Sequence, residues 1–598
     1  MPPPVRNEPN TAAAWLRALQ RTSSIFNRPT NIFPILVEEL AERFANNSAL
    51  ICERDSLSFA ALSARANQWA RWALGQGVQK GDVVCLDMPN CAEYVAMWIG
   101  VTHIGGVVAL LNTNLVGQSL AHCIDAVRPR HIVVGSDIVD HLVSALPYMS
   151  AAPRLWSHGA NDNAFPRIDD AIRQYPEQPL SGQERRHVTL HDLALYIYTS
   201  GTSGLPKAAM VRHHRIMQWS HWFAGLMDTQ QDDRMYNCLP LYHSVGGIVA
   251  TGATLISGGS VVLREKFSAQ RFWDDIAEWN CTIFQYIGEL CRYLVQTPHH
   301  PRETTHRLRL CCGNGLRRDV WNTFKTRFQI PQILEFYAAT EGNVSLYNVD
   351  GTPGSIGRTP AFLRHRSNLE LVKFDIDTNE PVRGDSGFCI RCEASEAGEA
   401  LGRIASGAST AELRFDGYSN PEDTKRKVLR DVFEKGDAWF RTGDLLRMDQ
   451  SGNFYFVDRI GDTFRWKGEN VSTMEVSLAL LEFPGVVDAT VYGVALPGHD
   501  GRAGMAALVV KPGFESAGLL EHLDSRLPRY AHPLFIRLCP AIGTTSTFKH
   551  QKTELINQGY DPSVASDEPI YFNDLRGRTF VRLDQTTYEN IKKGGMRF

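Results

Sequence analysis

Strand-length apolar runs alternate with helix-length segments through the first part of the chain, and this alternation limits the fold more than any other feature. VVCLDM (Val83 to Met88), VVALL (Val107 to Leu111) and HIVVG (His131 to Gly135) are short and mostly apolar. From Ala92, and again from Ser119 to Val127, apolar residues return at the three- and four-residue spacing of a helix. The same rhythm runs over Ile35 to Phe44 and Leu57 to Leu74, where Phe59, Leu62, Ala66, Trp69 and Ala73 share a face before Gly75 and Gly77. Strands separated by helices predict parallel sheets flanked by helices, an α/β fold. The most apolar run, Val95 to Leu111, carries His103 and two adjacent glycines. It falls short of the roughly 20 residues of a membrane span and predicts a buried helix followed by a strand.

A chain of 598 residues is too long for one core, so more than one domain is expected. Residues 1–34 are polar and bear prolines, and are expected to form a poorly ordered lead-in. Residues 150–190 are polar and proline-rich and are expected to be an irregular connection. The first residues, MPPPVRNEPN, lack the apolar core of a secretory signal. The net charge of −3 offers no field for nucleic acid, and none is expected as a partner. Twelve cysteines without a regular framework suit a reducing compartment. The lone CxxC, Cys389 to Cys392, lacks a second pair and is expected to be an ordinary strand rather than a metal site.

The stretch from Tyr196 reads YIYTSGTSGLPKAAM. A buried strand end, Ala194 to Tyr198, leads into Thr199, Ser200, Gly201, Thr202, Ser203 and Gly204, closed by Pro206 and Lys207. Glycines let the backbone approach a ligand, and convergent N–H groups, hydroxyls and an ammonium suit phosphate. The pattern is not that of the P-loop, which places lysine directly after a glycine. Further on, Tyr242-His243 follows the strand YNCLP and precedes the glycines Gly246, Gly247 and Gly252. Those glycines predict either close helix packing or room for a chain-shaped ligand. RLRLCC runs into Gly313-Asn314-Gly315, too little for a dinucleotide fingerprint. LEFYAATEGN spans Leu334 to Asn343, GDAWFRTGDLLRMD spans Gly436 to Asp449, and GNFYFVDRIGDTFRWKGENV spans Gly452 to Val471. Alternating runs follow at Val486 to Val494 and Met505 to Val510, and TTSTFKHQKTEL closes the set at Thr544 to Leu555.

Taken in order, YTSGTSGLPKA, LYHSVGG, FYAATEGN, GDAWFRTGDL, DRIGDTFRWKGEN and FKHQKTEL resemble the motifs of the adenylate-forming superfamily. Within it they resemble the fatty acid transport protein and very-long-chain acyl-CoA synthetase subfamily, in a bacterial-type member. The resemblance spans about residues 35 to 598. It implies a large ATP- and acyl-binding domain over 35–460 and a mobile α+β domain over 461–598, with Gly461 at the hinge. It implies fatty acid–CoA ligation through an acyl-adenylate, with ATP, Mg²⁺ and coenzyme A. By position, Thr199 to Lys207 cradle phosphate, Gly313, Asn314, Tyr337, Ala338 and Thr340 surround the nucleotide, and Tyr337 stacks on adenine. Glu341, with Thr199, holds Mg²⁺; Asp444 takes the ribose diol and Arg459 the ribose-phosphate region. His243, Gly246 and Gly247 lie beside the acyl group, and Gly468 leaves room for the pantetheine arm. Lys549 matches the adenylation lysine, with Lys552 as the competing candidate because Ser546 stands where relatives have glycine.

Other readings of the motifs are an acyl-AMP ligase feeding a carrier protein, a CoA ligase for a bile-acid-like or aromatic carboxylate, an amino-acid adenylation domain, and a fatty acid uptake or binding protein without catalysis. Leu239-Pro240-Leu241 offers no aspartate for an amino group, against the amino-acid reading. A cytoplasmic place, with or without peripheral contact to the inner face of a membrane, is expected. Oligomeric state is not legible in the sequence.

Overall fold

A computed structural model describes residues 11–53, 55–160, 164–199, 205–376, 378–404, 415–467, 469–497, 499, 501–545, 550–564, 568–574, 577–594 and 596. The expected alternation appears as α/β structure. Two compact units form, one of residues 1–365 with 404–428, the other of residues 366–403 with 429–598.

The first unit holds two largely parallel sheets. In one, the spatial order is Arg154–His158, His131–Gly135, Val83–Asp87, Val107–Leu110, Leu193–Thr199 and Lys207–Arg212, with only the last pair antiparallel. In the other, Ser48–Ile51, Ser260–Leu263, Arg234–Asn237, Ile283–Ile287, Leu310–Asn314 and Gln332–Ala338 run parallel, and Ser345–Asn348 returns antiparallel. Helix Phe59–Gly75 is largely buried and Ala92–His103 almost wholly so, which explains why the second is apolar nearly all round. Ala92–His103 and Val107–Leu110 are the buried helix and strand expected of the most apolar run. Among the described residues no helix is long and apolar enough to cross a membrane.

Two expectations fail here. Within the supposed lead-in, Thr11–Thr22 is a helix with Ala14, Trp15 and Ala18 buried. Trp15 meets Trp222 at 5.9 Å and Tyr347 at 5.7 Å, and a Cβ on Gly225 would stand 2.4 Å from Ala18 Cα. One indole and two alanines at helical spacing sufficed, against a composition that read as polar. The supposed irregular connection also contains the strand Arg154–His158 and the helix Ile168–Arg173. There Ile168 and Ile172 are buried at i and i+4, a pair too short to stand out among prolines.

The second unit joins the antiparallel strands Leu369–Val372, Ala397–Arg403, Ala438–Met448 and Asn453–Arg459. The unit also holds a separate five-stranded sheet of Val486–Val494, Ala503–Val510, Phe535–Leu538, Ile570–Asp574 and Thr579–Arg582. The sequence S-T-M-E builds the start of helix Thr473–Leu481, where the Ser472 hydroxyl accepts from the Glu475 N–H. Where a strand was expected at Cys389 to Cys392 only isolated bridges form, Cys389 with Arg383 and Arg391 with Val372, because the turn at residues 384–388 interrupts the pairing. Cys389 and Cys392 are free, and no group of three metal-ligating side chains occurs among the described residues.

Candidate active site

The glycine-rich stretch joins two strands that pair antiparallel, with Thr199 opposite Lys207. Ser200, Gly201, Thr202, Ser203 and Gly204 lie outside the described residues, as do Gly468, Ser546 and Lys549. The two ends of the stretch are well placed. Lys207 is held by Asp423, Nζ to Oδ1 at 2.8 Å, and stands 5.8 Å over the ring of Tyr418.

Tyr418 also reaches the glutamate of the FYAATEGN string. Its hydroxyl donates to Glu341 Oε1 at 2.7 Å, and the Thr199 side chain is a further hydrogen-bonding neighbour. Burial first, and then the Glu341 charge, raise the Tyr418 phenol, so it stays a neutral donor. The turn after Glu341 is fixed by the buried Arg215, which donates to Gly342 O at 2.5 Å and stacks 4.9 Å over Trp219. Thr340 is tied to Ser244 by a 3.0 Å hydroxyl pair. Thr199 and Glu341 are thus drawn to one phenol. Hydroxyl and carboxylate oxygens are the hard donors that Mg²⁺ takes, so the residues fit that ion.

Strand Leu310–Asn314 runs parallel to Gln332–Ala338, which brings Gly313-Asn314 beside the strand of Tyr337 and Ala338. Tyr337 is half-buried and Ala338 exposed. Gly313 is obligatory for packing, because a Cβ there would stand 2.3 Å from Tyr286 O. The buried amide oxygen of Asn314 has no hydrogen-bond partner among the described residues. An orphaned acceptor near a half-buried aromatic fits a purine with an exocyclic amine.

Beneath this edge lies a carboxyl the sequence analysis missed. Glu335 is 1% exposed and accepts from Tyr286 Oη at 2.5 Å and from Leu316 N–H at 3.0 Å. Burial pushes its carboxyl up to about 8. The folded protein therefore keeps a proton that the unfolded chain releases above about pH 4.3. The resulting stability is complete below that pH and is lost as pH rises to about 8. Glu335→Gln is expected to flatten that loss, of the order of several kcal/mol, between about pH 5 and 8.5. Asp87, whose carboxyl burial pushes up to about 7, leaves a residual slope. Urea unfolding at the two pH values checks this; an unchanged slope in the variant refutes it. The only sequence signal was a charge between Leu334 and Phe336 in an apolar strand.

At the proposed acyl side, the His243 ring lies 4.6 Å from that of Tyr242. Val245–Ala250 forms a wide, π-helical turn. The glycines there serve packing. Cβ atoms on Gly246 and Gly247 would stand 2.6 Å from Pro240 O and 2.1 Å from Leu241 O, and one on Gly252 would stand 2.1 Å from Ser220 Oγ. In the Cβ direction these three positions face the chain's own backbone and side chain. Close packing of the chain is enough to account for the three glycines.

In the second unit, Asp444 and Arg459 are direct partners across antiparallel strands, and Arg459 Nε lies 3.7 Å from Asp444 Oδ1. The turn after Arg459 leads to Asp462, whose carboxylate takes Lys552 Nζ at 3.1 Å. Lys552 also donates to Thr473 Oγ1 at 3.1 Å. Asp458 completes this knot, accepting from Thr473 N–H at 2.5 Å and Arg459 N–H at 2.8 Å. The amine of Lys552 is thus already engaged within the unit.

The strands, and a nucleotide-suited edge carried by these motifs, define an adenylate-forming enzyme of the ligase class. The anthranilate CoA ligase AuaEII in complex with anthranoyl-AMP has the same fold, with a TM-score of 0.76, 22% identity, and 91% of this chain and 99% of that one covered. ATP-bound MatB from Rhodopseudomonas palustris follows at a TM-score of 0.73, 24% identity and 88% and 98% coverage. The family model of the AMP-binding enzyme matches residues 37–391, and that of the AMP-binding enzyme C-terminal domain matches residues 475–549. The chain belongs to the AMP-binding enzyme family. It is 40% identical over 575 residues to long-chain fatty acid transport protein 1 of Mus musculus, covering 95% of this chain and 88% of that one. To long-chain fatty acid transport protein 2 of Rattus norvegicus it is 38% identical over 578 residues, with 94% and 91% covered.

Proposed function

We propose that the protein is an AMP-forming acyl-CoA synthetase for long or very long apolar carboxylates. The reading rests on one observation above others: Thr199, Lys207 and Glu341, from two distant motifs, gather around the single side chain of Tyr418. The names of the 40%-identical relatives supply the substrate class.

In the first step a carboxylate oxygen attacks the α-phosphorus of ATP, forming the acyl-phosphate bond while pyrophosphate leaves. In the second, the thiolate of CoA attacks the acyl carbon and AMP leaves. Charge grows on phosphate oxygens, so the protein acts by positioning and by cations. The backbone from Thr199 through Ser200 to Gly204 would cradle phosphate, and Lys207 would exchange Asp423 for a phosphate oxygen. Glu341 and Thr199 would hold Mg²⁺, which when bound supplies a Lewis acid beside the phosphates. Tyr337 and Asn314 would hold the purine, Asp444 the ribose diol and Arg459 the adjoining phosphate. Lys549 would stabilise charge in adenylation, Gly468 would pass the pantetheine arm, and His243 would border the acyl chain. Residues 461–598 would turn about Gly461 between the two steps.

The test is ATP–pyrophosphate exchange, together with CoA-thioester formation, across saturated carboxylates from about two to twenty-four carbons. Each added CH₂ is expected to strengthen binding by about 0.8 kcal/mol until the pocket ends. An optimum at acetate, or a preference for a ring acid, refutes the substrate class. Absence of exchange with every carboxylate would instead leave a binding or uptake protein, the role that the relatives' names carry. Exchange without CoA-thioester formation would point to an acyl-AMP ligase.

A further inference from the structure

The segment from Asp416 to Asp423 drew no attention in the sequence, yet it is built onto the strand that follows the glycine-rich stretch. Met210 N–H donates to Gly417 O at 2.9 Å and Ser419 N–H to Ala208 O at 2.9 Å, so the segment pairs with that strand as a short added one. Its side chains then reach the end of that strand and the groups assigned to phosphate and metal. Asp416, wholly buried, takes Arg212 Nε at 2.8 Å. Asp423 takes Lys207. Between them Tyr418, 4% exposed, donates to Glu341 Oε1 and neighbours Thr199.

A carboxylate has two oxygens, and a lone glutamate side chain rotates freely among several orientations. A phenol that donates to one oxygen restricts those orientations and leaves the second oxygen to another partner. Because a phenol is neutral, it does this without competing in charge against a cation. A lysine or arginine in the same place would neutralise the carboxylate instead.

We infer that Tyr418 is a positioning residue: it fixes the Glu341 carboxylate so that Oε2 stays available to the divalent cation that accompanies ATP. This rests on the proposed role of Glu341. The bond could alternatively serve only to staple the segment to the unit, and that role would show as lost stability without any change toward the ion.

Tyr418→Phe removes one oxygen and keeps the ring, so packing is retained. Two readouts are taken on the full-length protein with ATP: Mn²⁺ binding followed by electron paramagnetic resonance, and the Mg²⁺ dependence of ATP–pyrophosphate exchange. Thermal unfolding is run alongside, with Glu341→Gln and the double variant. Tyr418→Phe is expected to raise the half-saturating ion concentration roughly ten- to a hundredfold, the scale of one hydrogen bond to a charged group. The half-saturating fatty acid concentration should move far less. In the Glu341→Gln background the same change should have no further effect, because the phenol acts through the carboxylate. Ion dependence within twofold of wild type, with or without a lower melting temperature, overturns the inference. So does an equal effect of Tyr418→Phe with and without Glu341. If Glu341→Gln itself leaves ion binding untouched, the metal reading of Glu341 falls and the inference with it. A strong Glu341→Gln defect beside a silent Tyr418→Phe sinks only the inference.

Discussion

Lys549→Ala is expected to slow acyl-adenylate formation by about 10²–10³-fold, the effect of removing one electrostatic donor from a transition state that gathers negative charge. The same variant should still convert supplied acyl-AMP and CoA to the thioester, because the second step breaks the acyl-phosphate bond after the charge of pyrophosphate has gone. Lys552→Ala provides the contrast. Its amine is bonded to Asp462 and Thr473 within the C-terminal unit. Removing it should cost about 1 kcal/mol of stability and leave adenylation per folded molecule within a few-fold. Each half-reaction is run separately on both variants. If Lys552→Ala instead shows the adenylation-only defect, or Lys549→Ala blocks both halves equally, the assignment of the lysine is wrong.

Gly468→Leu is expected to fail in the opposite half. Acyl-AMP should form at close to the normal rate, while thioester formation falls by about 10²-fold or more, as for a misplacement that keeps the reacting atoms apart. The reason is steric: a leucine would fill the path assigned to the pantetheine arm. Gly461→Pro should resemble it or be worse, since proline holds φ near −65° at the proposed hinge. Single-turnover measurement of acyl-AMP consumption on adding CoA separates the two steps. Normal thioester formation by Gly461→Pro would place the hinge elsewhere or show that no turn is needed. Normal formation by Gly468→Leu would remove Gly468 from the path of CoA.

Much of the scaffold was written locally. Strands such as Val83–Asp87 and Val107–Leu110 are buried on both faces, so their composition alone announces parallel sheet. The helix Phe59–Gly75 shows its buried face through spacing, and the strand end that leads into Thr199 follows from its apolar and aromatic run. Short strings such as FYAATEGN and YTSGTSGLPKA were legible because a chemical requirement confined to neighbouring residues leaves its mark in one stretch.

Only the tertiary structure decided what those stretches touch. The Tyr418 bond to Glu341 joins residues 77 positions apart, and Arg212 meets Asp416 across 204. No periodicity encodes such a pair, since each partner looks like an ordinary polar residue in its own neighbourhood. Gly246 and Gly247 show the same limit from the other side: a glycine signals that something comes close without saying whether it is a ligand or the chain's own carbonyls. Trp15 found its place against Trp222 and Tyr347 although the residues around it read as a loose terminus. Burial patterns are local because each residue records its own exposure. The identity of a partner is a property of the folded chain, fixed by the sum of many weak contacts that no single segment contains.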